Sequence, residues 1–208
     1  MKLIKQNGKN LLIVFGGGDG TIGVEEVGLV ELAKELNSDL LLLKDLAQNW
    51  FLLGINETTN NVETSVTALV GIVKEYDKVF VTGLSLGGYA AVLYGSLINS
   101  TAVVAFSPQT SFDLSFVHPR AMPHTERCLS RVGTSAIDLR EHLQNIQYST
   151  RIFLVAGEEH PVDCRWCDRL VGLINVEQVR LPTKRHNLSG YLYEIGDFSS
   201  FMKSKLLR

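Results

Sequence analysis

The sequence predicts an α/β protein built on a doubly wound, mostly parallel sheet that is flanked by helices. Short apolar runs typical of buried strands alternate with longer segments of helical periodicity, and short loops join them. The clearest run, residues 39–44, holds four consecutive leucines, as in a strand buried on both faces. In such sheets ligands and catalytic groups collect at the carboxyl ends of the strands. Candidate functional residues are therefore those that directly follow a strand.

The alternation continues along the chain and indicates one domain over residues 1–208. The expected strands are 3–6, 11–15, 39–44, the run that opens 78–88, 101–106, 151–156 and 176–181. The expected helices are about 24–36, 60–76, one that follows residues 78–88 and runs to about 98, 136–147, 162–174, 188–195 and 198–207. Asn7-Gly8 between the first two runs is a hairpin-turn signal. Residues 109–147, with Pro119 and Pro123, read as a short irregular insertion that ends in a helix.

Composition excludes several classes of partner. The chain has 208 residues, and its 45% hydrophobic and 20% charged residues are typical of a globular domain. A formal net charge of −2, with no basic run, gives no reason to expect nucleic acid or an anionic membrane as partner. The first ten residues lack the apolar core of a secretory signal, and no segment has the ~20 apolar residues of a membrane span. Three cysteines without framework spacing favour a reducing cytoplasm.

Residues 78–88, which read KVFVTGLSLGG, carry the strongest functional signal. They place the pattern G-x-S-x-G between an apolar run and a helix-compatible segment, the context of a nucleophile on a sharp strand-to-helix turn. Gly83 and Gly87 flank Ser85 at the two positions where a Cβ would meet the backbone. The turn would raise the serine hydroxyl at a helix N-terminus, where developing negative charge is favoured. Ser85 is therefore the predicted nucleophile, and a glycine-rich packing turn is the alternative.

A serine nucleophile requires a base, and position along the chain distinguishes the histidines. His186 lies in the loop after the last expected strand, where a base should lie. The remaining four are less suitable: two lie in the insertion, one lies in a helix where solvent should surround it, and one lies beside Pro161. In that order they are His118, His124, His142 and His160. His186 is the predicted base, and an ordinary surface histidine is the alternative.

The acid of a triad should lie between serine and histidine in the chain, after the penultimate strand. Asp163 opens the next helix and is the preferred acid, although it would serve equally as a first-turn helix acid. Glu158 is nearer the strand end and competes with it, and Asp168 comes last because it should lie inside the helix.

Backbone amides would supply the oxyanion hole, the set of donors that stabilises the oxyanion of the transition state. One donor is expected from Leu86, the residue after the nucleophile. The second is expected from the glycine loop after the second strand, with Gly17 preferred over its neighbours Gly16 and Gly18.

These features together resemble the α/β-hydrolase family. The shared features are GLSLGG before a helix of small residues, FGGG after an early strand, and a late aspartate and histidine. The similarity in element order spans nearly the whole chain, and the serine turn is its most specific part. The resemblance implies an α/β-hydrolase-like fold, with these roles: nucleophile Ser85, acid Asp163, base His186, and oxyanion donors Leu86 and Gly17.

Two positions depart from the family pattern. The histidine that often precedes the glycine loop is Phe15 here, and the common position of the acid is occupied by His160. Within the family, the Asn49-Trp50 loop, GLSLGGYAA and FSPQT at residues 106–110 resemble small bacterial hydrolases encoded beside surface-polysaccharide genes.

Two other motifs indicate different chemistry. Residues 18–23 match G-x-G-x-x-G between a strand and a helix, with Asp45 after the next strand, as in dinucleotide-binding proteins. Cys164 and Cys167, with His160 upstream, could form a zinc or redox site, but a fourth ligand is hard to find and cysteines at this helical spacing are usually core residues. No metal or cofactor is therefore expected.

The expected function is a serine hydrolase that cleaves an ester or thioester with a short acyl group through an acyl-enzyme on Ser85. The insertion at residues 109–147 is too short for a large separate lid, so we expect a fairly open site. Such a site suits short acyl esters, including acetyl groups on carbohydrate, better than long lipids. A non-catalytic binding protein with the same fold is the alternative. Fold and triad alone do not fix the substrate of a hydrolase.

Overall fold

The computed structural model describes residues 1–117 and 121–208, so His118 and Pro119 lie outside the described part of the chain. Its centre is a seven-stranded sheet in the order β1-β3-β2-β4-β5-β6-β7. All neighbouring strands are parallel except β1, which runs antiparallel to β3. The strands are β1 Lys2–Ile4, β2 Asn10–Phe15, β3 Ser38–Leu43, β4 Val79–Leu84, β5 Ala102–Phe106, β6 Arg151–Gly157 and β7 Val176–Leu181. The predicted fold class is confirmed.

Helices cover both faces of the sheet, and each face has its own apolar core. The helices are α1 Glu26–Glu35, α2 Val62–Val73, α3 Leu86–Leu97, α4 Met122–Val132, α5 Leu139–Asn145, α6 Pro161–Asp168, α7 Leu188–Glu194 and α8 Phe198–Leu206. Helices α2 to α6 pack on one face, and α1, α7 and α8 pack on the other. Alternate residues of β2 divide between the cores, with Ile13 in the first and Val14 in the second. A strand buried on both faces therefore reads as a continuous apolar run.

The hairpin expected at Asn7-Gly8 is wrong. Strand β2 lies between β3 and β4, whereas β1 pairs with the other side of β3. Asn7 has a φ of 59°, as a turn residue would, but the chain crosses the start of β3 instead of turning back. A Cβ on Gly8 would lie 2.4 Å from the carbonyl carbon of Ser38, so this glycine permits the crossing.

The insertion is more regular than the sequence indicated. Helix α4 was not predicted, because Pro123 resembles a helix breaker, yet it lies in the first turn, where its missing N–H costs nothing. Cys128 and Val132 of α4 are buried in the first core. The helix expected at 162–174 ends instead at Asp168. None of the helices in the described ranges combines the length and apolar character that a membrane crossing requires.

Candidate active site

Ser85 occupies a strained turn between β4 and α3. Its φ of 57° and ψ of −117° are unusual for a residue with a side chain. A Cβ on Gly83 would lie 2.1 Å from the carbonyl oxygen of Gly87, and one on Gly87 would lie 2.2 Å from that of Phe15. The two glycines thus let β4, α3 and β2 approach each other at the serine. Its hydroxyl has no hydrogen-bond partner within the described ranges, and Ser85 lines a cavity.

His186 and Asp163 form a close pair at the same cavity. His186 Nδ1 lies 2.8 Å from Oδ2 and 3.0 Å from Oδ1 of Asp163. The carboxylate is buried, with 3% of its side chain exposed, whereas the imidazole is 45% exposed. A carboxylate only accepts hydrogen bonds, so Nδ1 carries the proton and Nε2 keeps its lone pair. In this tautomer Nε2 can accept a proton.

The other two candidate acids lie elsewhere. Glu158 is exposed and makes no side-chain contact with His186 in the described part of the chain. Asp168 binds Arg180 at 2.6 Å and Gln178 at 3.0 Å, away from the cavity. Of the three, only Asp163 contacts His186 in the described part of the chain. It lies about one helical turn after His160, the position at which the α/β-hydrolase resemblance expects the acid.

The glycine loop after β2 places a different amide at the site from the one expected. The Gly17 N–H donates to the carbonyl of Thr21 at 2.6 Å, so it is not free to bind an oxyanion. The Gly18 amide has no acceptor among the described residues, and Gly18 lines the cavity together with Ser85. The Leu86 amide, at the first position of α3, also has no acceptor there. Gly18 therefore replaces Gly17 as the second candidate donor.

The cavity of about 500 Å³ beside Ser85 is lined by both apolar and polar side chains. Besides Ser85, Asp163 and His186, its wall has two side-chain amides, two imidazoles, an indole and small apolar groups. The lining residues beyond the triad are Gly18, Gln48, Ser107, Gln109, Ala121, His124, His160, Val162 and Trp166. The lining therefore offers both hydrogen-bonding groups and apolar surface to a ligand.

Ser107 holds the loop that carries His186. It directly follows β5, is buried, and has a φ of 44°. Its hydroxyl donates to the main-chain carbonyl of His186 at 2.7 Å, and its amide donates to Val155 at 2.8 Å. The strained backbone thus positions a hydroxyl that binds the loop of His186. The sequence placed Ser107 just after a strand, but that position alone did not indicate its partner.

His160 contributes a second imidazole to the same carboxylate. It is the N-cap of α6 and its Nδ1 accepts the Asp163 N–H at 3.2 Å. The same Nδ1 lies 3.2 Å from Asp163 Oδ1, and the His160 and His186 rings are 5.6 Å apart. Imidazole, carboxylate and imidazole therefore stand side by side at the wall of the cavity.

The other histidine environments differ from one another. His124, in the first turn of α4, lines the cavity. His142 was expected to be solvated but is half-buried, and its Nε2 lies 3.0 Å from Ser96 Oγ. Burial lowers the pKa of His142, so the neutral imidazole is favoured.

The two alternative motifs have structural explanations. Burial raises the pKa of both cysteine thiols, Cys164 and Cys167, and Cys164 donates to the Gly157 carbonyl at 3.2 Å. The glycine-rich motif at residues 18–23 leads into α1 beside two acidic residues, Glu25 and Glu26, which would repel a phosphate. A Cβ on Gly23 would lie 2.1 Å from Asn187 Nδ2, so this glycine accommodates the loop that follows His186.

Comparisons with known proteins gave matches only at the level of structure. No family model matches the chain, and no curated protein matches its sequence. The Pyrococcus furiosus esterase Pf2001 superimposes with a TM-score of 0.64 at 15% identity, covering 98% of this chain and 85% of that chain. An inhibited esterase B from Lactobacillus rhamnosis gives 0.65 at 13% identity, covering 97% and 77%.

A capsule O-acetyltransferase of Neisseria meningitidis serogroup A also gives a TM-score of 0.65, at 11% identity, covering 95% of this chain and 90% of that chain. The similarity to all three proteins extends over nearly the whole of this chain. The chain therefore has the α/β-hydrolase fold.

Proposed function

We propose that this protein is a serine hydrolase that cleaves an ester or thioester with a short acyl group, with Ser85 as nucleophile. The contact between His186 Nδ1 and the buried Asp163 carboxylate supports this most strongly. It selects the tautomer a base requires, next to a cavity that a strained serine also lines. The solved esterases that share the fold agree with hydrolase chemistry.

In the proposed reaction, His186 Nε2 takes the proton of the Ser85 hydroxyl as its oxygen attacks the acyl carbon. The Leu86 and Gly18 amides stabilise the oxyanion of the tetrahedral intermediate. The intermediate collapses as the imidazolium returns its proton to the leaving alcohol or thiol. Water then attacks the acyl-enzyme with His186 again as base, and the acid leaves from Ser85. Throughout, Asp163 holds the imidazole and stabilises its charged form.

An acyl group on carbohydrate is the proposed substrate. Gln48, Gln109 and His124 line the cavity beside Ser85 and carry hydrogen-bonding groups that sugar hydroxyls can contact. The fold is also shared with a capsule O-acetyltransferase, although at 11% identity that likeness concerns the fold alone. A cavity of about 500 Å³ is large enough to hold a sugar unit together with its acyl group.

Turnover of p-nitrophenyl acetate by the purified protein tests the reaction. Replacing the base, His186→Ala, should lower kcat/KM by about a thousandfold or more. The matched substitution His124→Ala removes an imidazole from the same cavity and should leave most of the activity. Equal turnover by wild type and His186→Ala would exclude this mechanism, and no turnover by wild type would favour a non-catalytic binding protein. Acetate released from an acetylated oligosaccharide, compared with release from a long-chain ester, tests the substrate class.

A further inference from the structure

The cluster of His160, Asp163 and His186 has a donor set that metals bind. One ligand atom from each residue can be chosen so that all three lie within 4.8 Å of one another. His186 Nδ1 is 2.8–3.0 Å from the carboxylate oxygens, and His160 Nδ1 is 3.2 Å from Oδ1. We propose that these three residues form a reversible, inhibitory site for a divalent transition metal of the Zn²⁺ class.

The spacing of the donors fits such an ion. Zn²⁺ binds imidazole nitrogen at about 2.0–2.1 Å and carboxylate oxygen at about 2.0–2.2 Å, which places neighbouring ligand atoms of a tetrahedron about 3.3 Å apart. The separations between the carboxylate and each imidazole are therefore within about 0.5 Å of this value, and the two imidazole ligand atoms lie within 4.8 Å of each other. Two imidazoles and one carboxylate leave a fourth position, which a water can fill.

Burial and access also favour binding. The Asp163 carboxylate is 3% exposed, so its negative charge is poorly screened and attracts a cation strongly. The two imidazoles are partly open to solvent, at 23% for His160 and 45% for His186, so an ion can reach them. On binding, His160 would exchange its hydrogen bond from the Asp163 N–H for the metal.

Metal binding would inactivate His186 as a base by moving the proton of its imidazole to Nε2. In the free protein the proton of neutral His186 sits on Nδ1, against Asp163, and the lone pair on Nε2 accepts the serine proton. A metal on Nδ1 takes the place of that proton, which then moves through solvent to Nε2. The imidazole stays neutral, no net proton is released, and Nε2 no longer has a lone pair for Ser85. The inhibition thus rests on the proposed function, whereas the metal binding does not.

The cysteine pair is a poor alternative ligand set. Cys164 donates to a main-chain carbonyl, and Cys167 is fully buried in the core. Soft thiolate ligation is therefore not expected here, and the imidazoles should select Zn²⁺ or Cu²⁺ over Mg²⁺ or Ca²⁺.

Calorimetric titration with Zn²⁺ and inhibition of p-nitrophenyl acetate turnover test the proposal together, using protein dialysed against EDTA. Wild type should bind one Zn²⁺ and lose activity over the same concentration range, with recovery on adding EDTA. Mg²⁺ at the same concentrations should not inhibit. His160→Asn keeps an N-cap acceptor for Asp163 N–H and should weaken both binding and inhibition about tenfold or more, relative to its own metal-free rate.

His124→Asn is the matched control, because it removes another cavity imidazole outside the cluster. Its Zn²⁺ affinity and its fractional inhibition, relative to its own metal-free rate, should stay within about twofold of wild type. His160→Ser, also a good N-cap, serves as a second variant if His160→Asn folds poorly. Absence of one-to-one binding, or a response unaltered by both His160 variants, would overturn the metal site. Zn²⁺ binding without any esterase activity would instead support the site and refute the proposed function.

Discussion

Ser85 and Ser107 adopt backbone conformations that serine seldom takes, and both line the cavity. A positive φ costs about 1–2 kcal/mol in a residue with a Cβ, so each needs a compensating interaction or role. Ser85 presents its hydroxyl to the cavity, and Ser107 donates to the carbonyl of His186. The strain therefore lies at the two serines that position the proposed nucleophile and the proposed base.

Substitutions at Ser107 should separate strain from positioning. Ser107→Gly removes both the strain and the hydroxyl, while Ser107→Ala removes only the hydroxyl. Both should lower kcat for p-nitrophenyl acetate about three- to tenfold, the worth of one hydrogen bond, but the alanine variant should be about 1 kcal/mol less stable than the glycine variant. Asn175→Gly, at a φ of 61° away from the site, should leave kcat unchanged. Unchanged kcat in both Ser107 variants would refute a positioning role.

The identity of the acid can be tested with isosteric amides. In Asp163→Asn an amide NH₂ can donate to His186 Nδ1, which favours the tautomer with the proton on Nε2. This substitution should therefore lower kcat about a thousandfold or more. Glu158→Gln changes an exposed side chain that does not touch His186 and should lower kcat less than about twofold. Steady-state kinetics of the two variants decide between them. A larger loss in Glu158→Gln would show that the pairing is misassigned.

The elements around the serine turn pack without room for side chains at two glycines. Gly83 in β4 and Gly87 in α3 lie against backbone atoms of neighbouring elements, so the distances between strand and helix depend on them. Backbone atoms cannot rotate away as a flexible side chain can. The G-x-S-x-G pattern is therefore as much a packing requirement as a feature of the nucleophile.

Gly83→Ala should destabilise the protein by about 3 kcal/mol or more, because the new Cβ would lie 2.1 Å from the Gly87 carbonyl oxygen. Gly71 lies on the exposed face of α2, where an added Cβ would meet no atom of the described residues within 4 Å. Gly71→Ala should therefore stabilise the protein by up to about 1 kcal/mol. Urea unfolding measures both changes. Equal free energies of unfolding for the two variants would contradict the packing described for the turn.

Strands and helices differed in how well the sequence predicted them. The buried strands were predictable because both of their faces need apolar residues, as in β3. The pairing of β1 was not, since Asn7-Gly8 has the conformation and composition of a turn whether the chain returns beside β2 or crosses β3. Helix α4 was missed because the effect of Pro123 depends on its place in the helix.

Across the whole molecule, the topology brings together residues that are far apart in sequence. The candidate site combines the loops after β2, β3, β4, β5, β6 and β7, from Gly18 to His186. The proposed triad was predictable, because its members follow strands in a recognisable chain order. The free amide at Gly18 was not, since only the folded loop shows that Thr21 occupies the Gly17 amide.

Asp39 lies at the opposite end of the sheet from the cavity and should make the free energy of unfolding depend on pH. Burial would raise the pKa of its carboxyl, but hydrogen bonds from the Gln6 and Gly8 amides and the Tyr76 hydroxyl outweigh this and lower it to about 2. The folded pKa is below the unfolded value of 3.8. The contribution, about 2 kcal/mol, is thus present above pH 4 and is lost as the pH falls from 4 to 2.

Urea unfolding between pH 5 and pH 2 measures this contribution. Asp39→Asn should be less stable than wild type at pH 5, and the difference should shrink by about 2 kcal/mol toward pH 2, since the asparagine does not titrate there. A constant difference over this range would contradict the lowered pKa.

Covalent labelling of Ser85 by a fluorophosphonate tests the proposed nucleophile most directly. The probe reacts with a serine whose proton a neighbouring base removes, and intact mass followed by peptide mapping locates the adduct. Wild type should gain one adduct, on the peptide that contains Ser85, and Ser85→Ala should gain none. An unlabelled wild type, or equal labelling of Ser85→Ala, would contradict the assignment of Ser85 as an activated nucleophile.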